Sequence, residues 1–252
     1  MTFSKPGRRA VTVDRLTVDD LSAAEVLERC VKAIGAGERC CVAALHISAL
    51  VGRNVDGFAA SLEGFDLVHP DGYSVLLAAR LAGADRVERL TTTDLVEQIL
   101  KATRSLRVAV IGGEAGIAPA AASALEIRFG CQAVFASDGY ATDWPSTIDQ
   151  LTTSRPDLVL VGLGMPTEAI WVARYRESLP QALVMTCGGL PRLLAGHENR
   201  APTLMQRLRL EWLYRLTTDP RRTWRRYLVG AAVCARLYPR IAMSRHRGRP
   251  NA

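Results

Sequence analysis

Between residues 40 and 186 the chain contains six short runs of apolar residues with the composition of buried β-strands. Most of these runs end in a turn that contains glycine, and residues with helical spacing follow. Alternating strand, turn and helix is typical of right-handed βαβ units on a parallel sheet. The pattern therefore predicts an α/β fold whose strands cover residues 40–45, 66–69, 106–111, 133–136, 158–161 and 183–186.

Helices are predicted where apolar residues recur at intervals of three and four after a capping residue. Residues 17–20 have the composition of a cap for the first helix, and residues 1–16 are expected to form a short lead-in. The next predicted helices cover residues 49–62, 73–81, 91–100, 119–128 and 147–153. Because ligands of parallel sheets bind beyond the carboxyl ends of the strands, we expect a site at the turns there.

The C-terminal fifth of the chain is helical in pattern and strongly basic. Residues 200–252 contain thirteen Arg and no Lys, against only Glu211 and Asp219, so they carry +11 of a chain whose net charge is +7. Tryptophan and tyrosine residues lie among the arginines, and Pro220 is expected to interrupt the helical pattern. The large apolar face favours an anionic membrane surface over nucleic acid as the partner.

These patterns divide the chain into three predicted parts. Residues 1–199 form the α/β domain, residues 200–242 form a basic helical appendage that associates with the membrane, and residues 243–252 form a disordered tail. With 48% hydrophobic and 23% charged residues, the composition is that of a folded protein. No run of eighteen apolar residues occurs, and the basic N-terminus has no apolar stretch behind it, so neither secretion nor a membrane span is predicted.

The polar residues give little sign of metal or disulfide chemistry. The six cysteines include no CxxC pair, the four histidines show no ligand spacing, and no DxD triplet is present. We therefore expect reduced thiols, no metal site and no cofactor.

Two kinds of turn could carry chemistry. Asp71 lies in the turn Pro70-Asp71-Gly72, directly after a predicted strand, where its carboxylate could act as a general base. An Asp-Gly pair in a turn is more often structural, so this spacing does not decide its role. The glycines at residues 112–116 and 162–164 could hold a phosphate with their backbone N–H groups, or could only let strand and helix pack closely.

Several ordered blocks of the sequence resemble the WecG/TagA/CpsF glycosyltransferases, over roughly residues 18–232. The blocks are Asp66-Leu-Val-His-Pro-Asp-Gly72, Ala78-Ala-Arg80-Leu81, Thr93-Asp-Leu95, Val110-Ile-Gly-Gly113, Asp138-Gly-Tyr140, Pro156-Asp-Leu-Val-Leu-Val-Gly-Leu-Gly-Met-Pro166, Arg200-Ala-Pro202, Leu210-Glu-Trp-Leu-Tyr-Arg215 and Pro220-Arg-Arg-Thr-Trp-Arg-Arg-Tyr-Leu228. The resemblance implies a Rossmann-like core, with residues 1–199 as the catalytic domain and a helical basic C-terminal appendage.

The activity implied by the resemblance is a metal-independent, inverting sugar transfer that builds cell-surface polysaccharide. The donor is a UDP-sugar, of the N-acetylmannosamine type or carrying another hexose or a hexuronic acid, and the acceptor is a saccharide linked to undecaprenyl diphosphate. The implied location is cytoplasmic, with peripheral attachment to the inner face of the cell membrane. The sequence does not decide whether the protein forms a homo-oligomer, and no nucleic-acid partner is expected.

The resemblance also implies roles for individual residues. Asp71 is the expected base, and the expected diphosphate-binding arginines of the appendage are Arg215, Arg222 and Arg225. Residues expected to bind the nucleotide sugar are His46, Gly112, Gly113, Asp138, Tyr140, Gly162, Gly164, Glu168 and Arg192. The uridine is expected near Asp138 to Tyr140, with the Tyr140 ring as a stacking surface.

Three blocks depart from the usual pattern of the family. Ala44-Leu-His46 replaces Thr-x-Asn, Pro166-Thr-Glu-Ala169 replaces Pro-Lys-Gln-Glu, and Gly188-Gly-Leu-Pro-Arg-Leu193 replaces Gly-Gly-x-Phe-Asp-Phe. These changes are expected to alter charge and hydrogen bonding around the donor. They leave open a catalytically inactive paralogue that binds the membrane. Gly112-Gly113 and the later Asp138 leave open an NAD-dependent oxidoreductase.

Overall fold

In the described part of the chain, the core of the computed structural model is one parallel sheet of six strands. The structure describes residues 8–140, 143–202, 205, 211–218 and 220–247, without the side chains of residues 211, 212, 215, 221, 222 and 245–247. The six strands are β3 (Cys40–Leu45), β4 (Leu67–Pro70), β5 (Arg107–Gly112), β6 (Gln132–Ser137), β7 (Leu158–Gly162) and β8 (Leu183–Thr186), in the spatial order β4-β3-β8-β7-β5-β6. All six predicted strands are confirmed, and so is the α/β class.

Helices cover both faces of this sheet. They are α1 (Ala23–Ala36), α2 (Ile47–Gly52), α3 (Phe58–Glu63), α4 (Tyr73–Ala82), α5 (Thr92–Ala102), α6 (Ile117–Phe129), α7 (Trp144–Thr153), α8 (Thr167–Tyr175), α9 (Leu190–Leu194), α10 (Glu211–Thr218) and α11 (Pro220–Arg247). Along β3, Cys41, Ala43 and Leu45 point to one buried cluster, while Cys40 and Val42 point to the other. Because both faces of the sheet are buried, its central strands are continuous apolar runs instead of alternating ones.

The N-terminal region differs from its prediction. An antiparallel hairpin of β1 (Ala10–Val13) and β2 (Leu16–Asp19) occupies the predicted lead-in and helix cap. Asp19 is buried, and its carboxylate is compensated there by the Arg8 guanidinium and by a 2.7 Å hydrogen bond from the Val68 N–H. The cap of α1 is instead Ser22, which forms a capping box with Glu25.

The predicted helix over residues 49–62 is two short helices, α2 and α3. They are separated at Gly57, whose φ of 78° is readily adopted only by glycine. Helix α2 begins directly after β3, so its first residues lie at the carboxyl edge of the sheet.

Helix α11 packs on the core beside that edge. As predicted, the helical pattern is interrupted at Pro220: α10 ends at Thr218 and α11 begins at Pro220, where proline at the first position loses no helical hydrogen bond. Gly230 lies so close to α2 that a Cβ there would come within 2.3 Å of the Ile47 Cδ1, and the Tyr238 hydroxyl donates to the Ser74 carbonyl on α4 at 3.0 Å. The helix continues to Arg247, past the boundary predicted at residue 242, while residues 248–252 of the predicted tail lie outside the described residues.

Candidate active site

A cavity of about 1200 Å³ lies at the carboxyl edge of the sheet. The turns that follow all six parallel strands contribute residues to its lining, and α11 covers one side with Thr223, Arg226, Tyr227 and Ala231. These four residues are spaced as one face of a helix. The cavity lies at the edge of the sheet where the sequence predicts a site, and the structure adds the C-terminal helix to its lining.

Glycines let the strand ends approach each other under the cavity. A Cβ at Gly112 would lie 2.3 Å from the Gly162 carbonyl oxygen, and one at Gly162 would lie 2.7 Å from the Gly188 carbonyl oxygen. The carboxyl ends of β5, β7 and β8 thus approach so closely that a side chain larger than that of glycine would clash at Gly112 and Gly162. Gly112 lies below the lining, whereas Gly113, Gly162 and Gly164 line the cavity.

Asp71 lines the cavity in a fixed orientation. Its Oδ1 accepts a 2.7 Å bond from the Thr92 N–H at the start of α5, and its own N–H donates to the Leu45 carbonyl at 2.9 Å. The N-terminus of a helix favours a negative charge beside it. The Asp71 carboxylate is thus fixed at the wall of the cavity by the backbone around it.

His69 lies beside Asp71 but does not line the cavity. Its side chain is buried, and burial lowers its pKa to about 4, against the opposing effect of the Asp71 charge. The imidazole is therefore neutral at pH 7 and packs as part of the core.

His46 and Arg192 both line the cavity. The His46 Nδ1 accepts the Ser48 N–H at 3.2 Å, capping α2, so a neutral ring carries its proton on Nε2. The Arg192 guanidinium binds the Glu114 carboxylate at 2.8 Å and lies 3.4 Å from that of Glu198. Arg192 thus joins α9 to the turn after β5 and to the segment beyond α9.

Asp138 and Tyr140 form the turn after β6. The Asp138 Oδ1 accepts the Tyr140 N–H at 2.8 Å, which closes an Asx turn; Asp138 itself does not line the cavity. Tyr140 is 73% exposed and lines the cavity together with Trp144. The Trp144 ring lies 5.1 Å from the Trp171 ring in an edge-to-face contact. The two tryptophans were not predicted as site residues.

Among the described residues, four arginines line the cavity: Arg89, Arg192, Arg200 and Arg226. The Arg89 guanidinium stacks 4.7 Å above the Tyr73 ring, and Arg200 binds the Asp94 carboxylate. Of these four only Arg192 was predicted. The other three lie in segments far apart in sequence, and the sequence alone does not show that they face one cavity.

The appendage arginines named by the resemblance are placed differently. Arg225 is exposed on the outer face of α11, with its guanidinium 6.0 Å from the Trp224 ring, and does not line the cavity. Its neighbour Arg226 does, and Arg226 also contacts the Tyr227 hydroxyl at 3.4 Å. The side chains of Arg215 and Arg222 lie outside the described residues.

Glu168 is close to the cavity but does not line it. Its side chain is buried on α8, and its Oε2 accepts hydrogen bonds from the Gly164 and Gly188 N–H groups, each at 3.0 Å. Both glycines line the cavity. Glu168 therefore supports the site from behind instead of facing a ligand.

Comparison with known proteins places the chain among glycosyl transferases. The model of the glycosyl transferase WecG/TagA/CpsF family matches residues 11–248. A relative from Bacillus spizizenii strain W23, named N-acetylglucosaminyldiphosphoundecaprenol N-acetyl-beta-D-mannosaminyltransferase, is 33% identical over 174 residues, 68% of this chain and 67% of the relative. A relative of the same name from Bacillus subtilis strain 168 is 29% identical over 170 residues, 66% of each chain. The chain thus spans about two thirds of the length of these relatives.

Proposed function

The chain belongs to the WecG/TagA/CpsF family of glycosyl transferases, and we propose that it transfers a sugar from a UDP-sugar to a saccharide carried on a lipid diphosphate. The observation that carries this proposal is that one cavity is lined both by the fixed Asp71 carboxylate and by Arg226 of α11. The same family membership argues against the NAD-dependent alternative.

In the proposed reaction Asp71 accepts the proton of the acceptor hydroxyl as its oxygen attacks the anomeric carbon of the donor. The bond from that carbon to the diphosphate breaks, and the electron pair leaves with UDP. Guanidinium groups stabilise the charge that develops on the departing diphosphate, the task that a metal ion performs in other transferases. Arg226 is the residue of α11 proposed to bind the diphosphate, because its side chain lines the cavity.

The proposed acceptor follows from the names of the two relatives, which act on N-acetylglucosaminyldiphosphoundecaprenol. The donor is proposed to carry an N-acetylmannosamine-type sugar, another hexose or a hexuronic acid. His46 and Arg192 line the cavity at positions where the family usually has Asn and Asp, so they are expected to select the transferred sugar.

A panel of UDP-sugars tests this proposal directly. Each donor is incubated with purified protein and a short-chain lipid-diphosphate-linked N-acetylglucosamine, and UDP release is measured with and without the acceptor. We expect one donor class to give UDP release that depends on the acceptor. Vesicle binding without affinity for any UDP-sugar would instead favour the inactive paralogue, and calorimetric binding of NAD would favour the oxidoreductase.

We further propose that the outer face of α11 docks on an anionic membrane, at the inner face of the cell membrane. Trp224, Leu228, Val229 and Met243 are exposed large apolar residues of this helix. Residues 220–247 contain eight arginines and no acidic residue. Apolar and basic side chains on one exposed helix face are typical of interfacial binding. Within the described ranges, no helix combines the length and apolarity needed to cross a membrane.

Leu228→Glu should lower binding to anionic vesicles at least tenfold, because it removes apolar contact and adds a repelled charge. Flotation with vesicles of anionic and of neutral lipids at two salt concentrations measures this. Ile127→Glu is the matched control, since Ile127 is an exposed apolar residue on α6, which packs on the opposite face of the sheet. Equal losses in both variants would contradict docking through α11.

A further inference from the structure

One buried carboxyl group joins two of the turns that line the cavity. Gly164 follows β7 and Gly188 follows β8, and both donate their backbone N–H to the same oxygen of Glu168. Glu168 itself is only 1% exposed. The relative position of the two turns thus depends on a side chain that no ligand in the cavity contacts.

The surroundings of Glu168 disfavour its charged form. Its second oxygen, Oε1, is enclosed and has no hydrogen-bond partner among the described residues. The charge of Asp71, after β4, is close enough to affect the Glu168 carboxyl group, and the Cys187 thiol lies near that group at the end of β8. His46 lies next to Gly188. A buried carboxylate with an unpaired oxygen is costly, whereas the neutral acid costs much less. Burial, reinforced by the negative charge of Asp71 and opposed by the backbone N–H groups of Gly188, Gly164 and Leu163, raises the pKa of Glu168 to about 8.

We propose that Glu168 is a positioning residue that holds the Gly164 and Gly188 turns together as the neutral acid, so that it adds no negative charge where the donor diphosphate binds. When Glu168 loses its proton to the solvent, a second carboxylate lies beside Asp71 under these turns. The added charge repels the diphosphate and weakens donor binding. This inference rests on the proposed function, because it assigns the binding of a diphosphate donor to the same cavity.

The test compares the KM for the UDP-sugar at pH 7 and pH 9 in three proteins, each relative to its own value at pH 7. In the wild type, about nine tenths of Glu168 is ionised one unit above its pKa of about 8, so KM should rise about tenfold. In Glu168→Gln, which keeps an oxygen for both N–H groups and cannot ionise, the rise should be under twofold. Glu177→Gln, at an exposed carboxylate that binds Arg39 outside the cavity, should match the wild type.

A second measurement separates failure of this inference from failure of the proposed function. Above pH 4.5 the unfolded chain releases the Glu168 proton while the folded chain keeps it, so stability falls as the pH rises from 4.5 to about 8. The urea midpoint of the wild type should therefore drop relative to that of Glu168→Gln between pH 6 and pH 8.5. The same pH response in both proteins, in KM and in midpoint, would overturn the inference. A divergence of the midpoints without any sugar transfer would support a buried neutral Glu168 and would count against the proposed function alone.

Discussion

Replacing Asp71 by Asn should lower kcat for sugar transfer by about 10²- to 10⁴-fold, the range expected when a general base is lost. Asn keeps an oxygen for the Thr92 N–H, which Asp71 binds at 2.7 Å, so the turn after β4 should keep its shape. What the variant loses is the ability to accept the proton of the acceptor hydroxyl. Steady-state kinetics with donor and acceptor varied separately would measure kcat, and calorimetry with UDP would show that the nucleotide still binds.

The control for this variant is Asp157→Asn. Asp157 precedes β7, and its carboxylate also accepts a backbone bond, from the Arg107 N–H at 2.8 Å, but it lies at the opposite edge of the sheet. The Asp157→Asn variant should therefore have the kcat of the wild type. Full turnover in Asp71→Asn, or an equal loss in both variants, would remove Asp71 as the base.

The sheet could be predicted because its signal is local. Each strand is an apolar run that ends near a turn residue, and burial on both faces makes the run continuous. The N-terminal hairpin could not be predicted in the same way. The residues at 17–20 have the composition of a helix cap, but Asp19 is needed to bind Arg8 and the Val68 N–H, which is distant in sequence. A local cap pattern was thus overridden by a tertiary contact.

The candidate site shows the same division. Asp71 and the glycine turns follow strands, so their place at the carboxyl edge follows from topology. Glu168 was expected among the nucleotide-sugar residues, yet it binds the backs of two turns, because the start of α8 directs its side chain inward. Sequence spacing places a residue near a turn without showing which side of the turn it contacts.

The face that α11 presents to the cavity depends on a contact that sequence spacing does not reveal. The close approach of Gly230 to Ile47 fixes the rotation of the helix about its axis. With that rotation, Thr223, Arg226 and Tyr227 face the cavity, whereas Arg225 and Leu228 face outward. Two adjacent arginines therefore acquire different surroundings, and we expect different roles for them.

Arg226→Ala should lower kcat/KM by about tenfold to a hundredfold, because one charge-assisted hydrogen bond to a diphosphate contributes about 1.5–3 kcal/mol. A soluble short-chain acceptor, assayed without vesicles, isolates this effect from membrane binding. Arg226→Lys should recover only part of the loss, since an ammonium group cannot bind a phosphate through two parallel bonds. Vesicle binding should be unchanged in both variants, because the Arg226 side chain faces the cavity.

Arg225→Ala should give the opposite result. Its guanidinium is on the exposed face of α11, so kcat/KM with the soluble acceptor should stay within twofold of the wild type. Binding to anionic vesicles should fall about fivefold, because one basic residue contributes about 1 kcal/mol at a membrane surface. If both variants lost activity equally, the helix would have to turn on binding the acceptor. If neither did, the diphosphate would be bound by the other cavity arginines, and α11 would contribute to membrane docking alone. Only the opposed losses, one in turnover and one in vesicle binding, are consistent with a single helix that completes the site on one face and meets the membrane on the other.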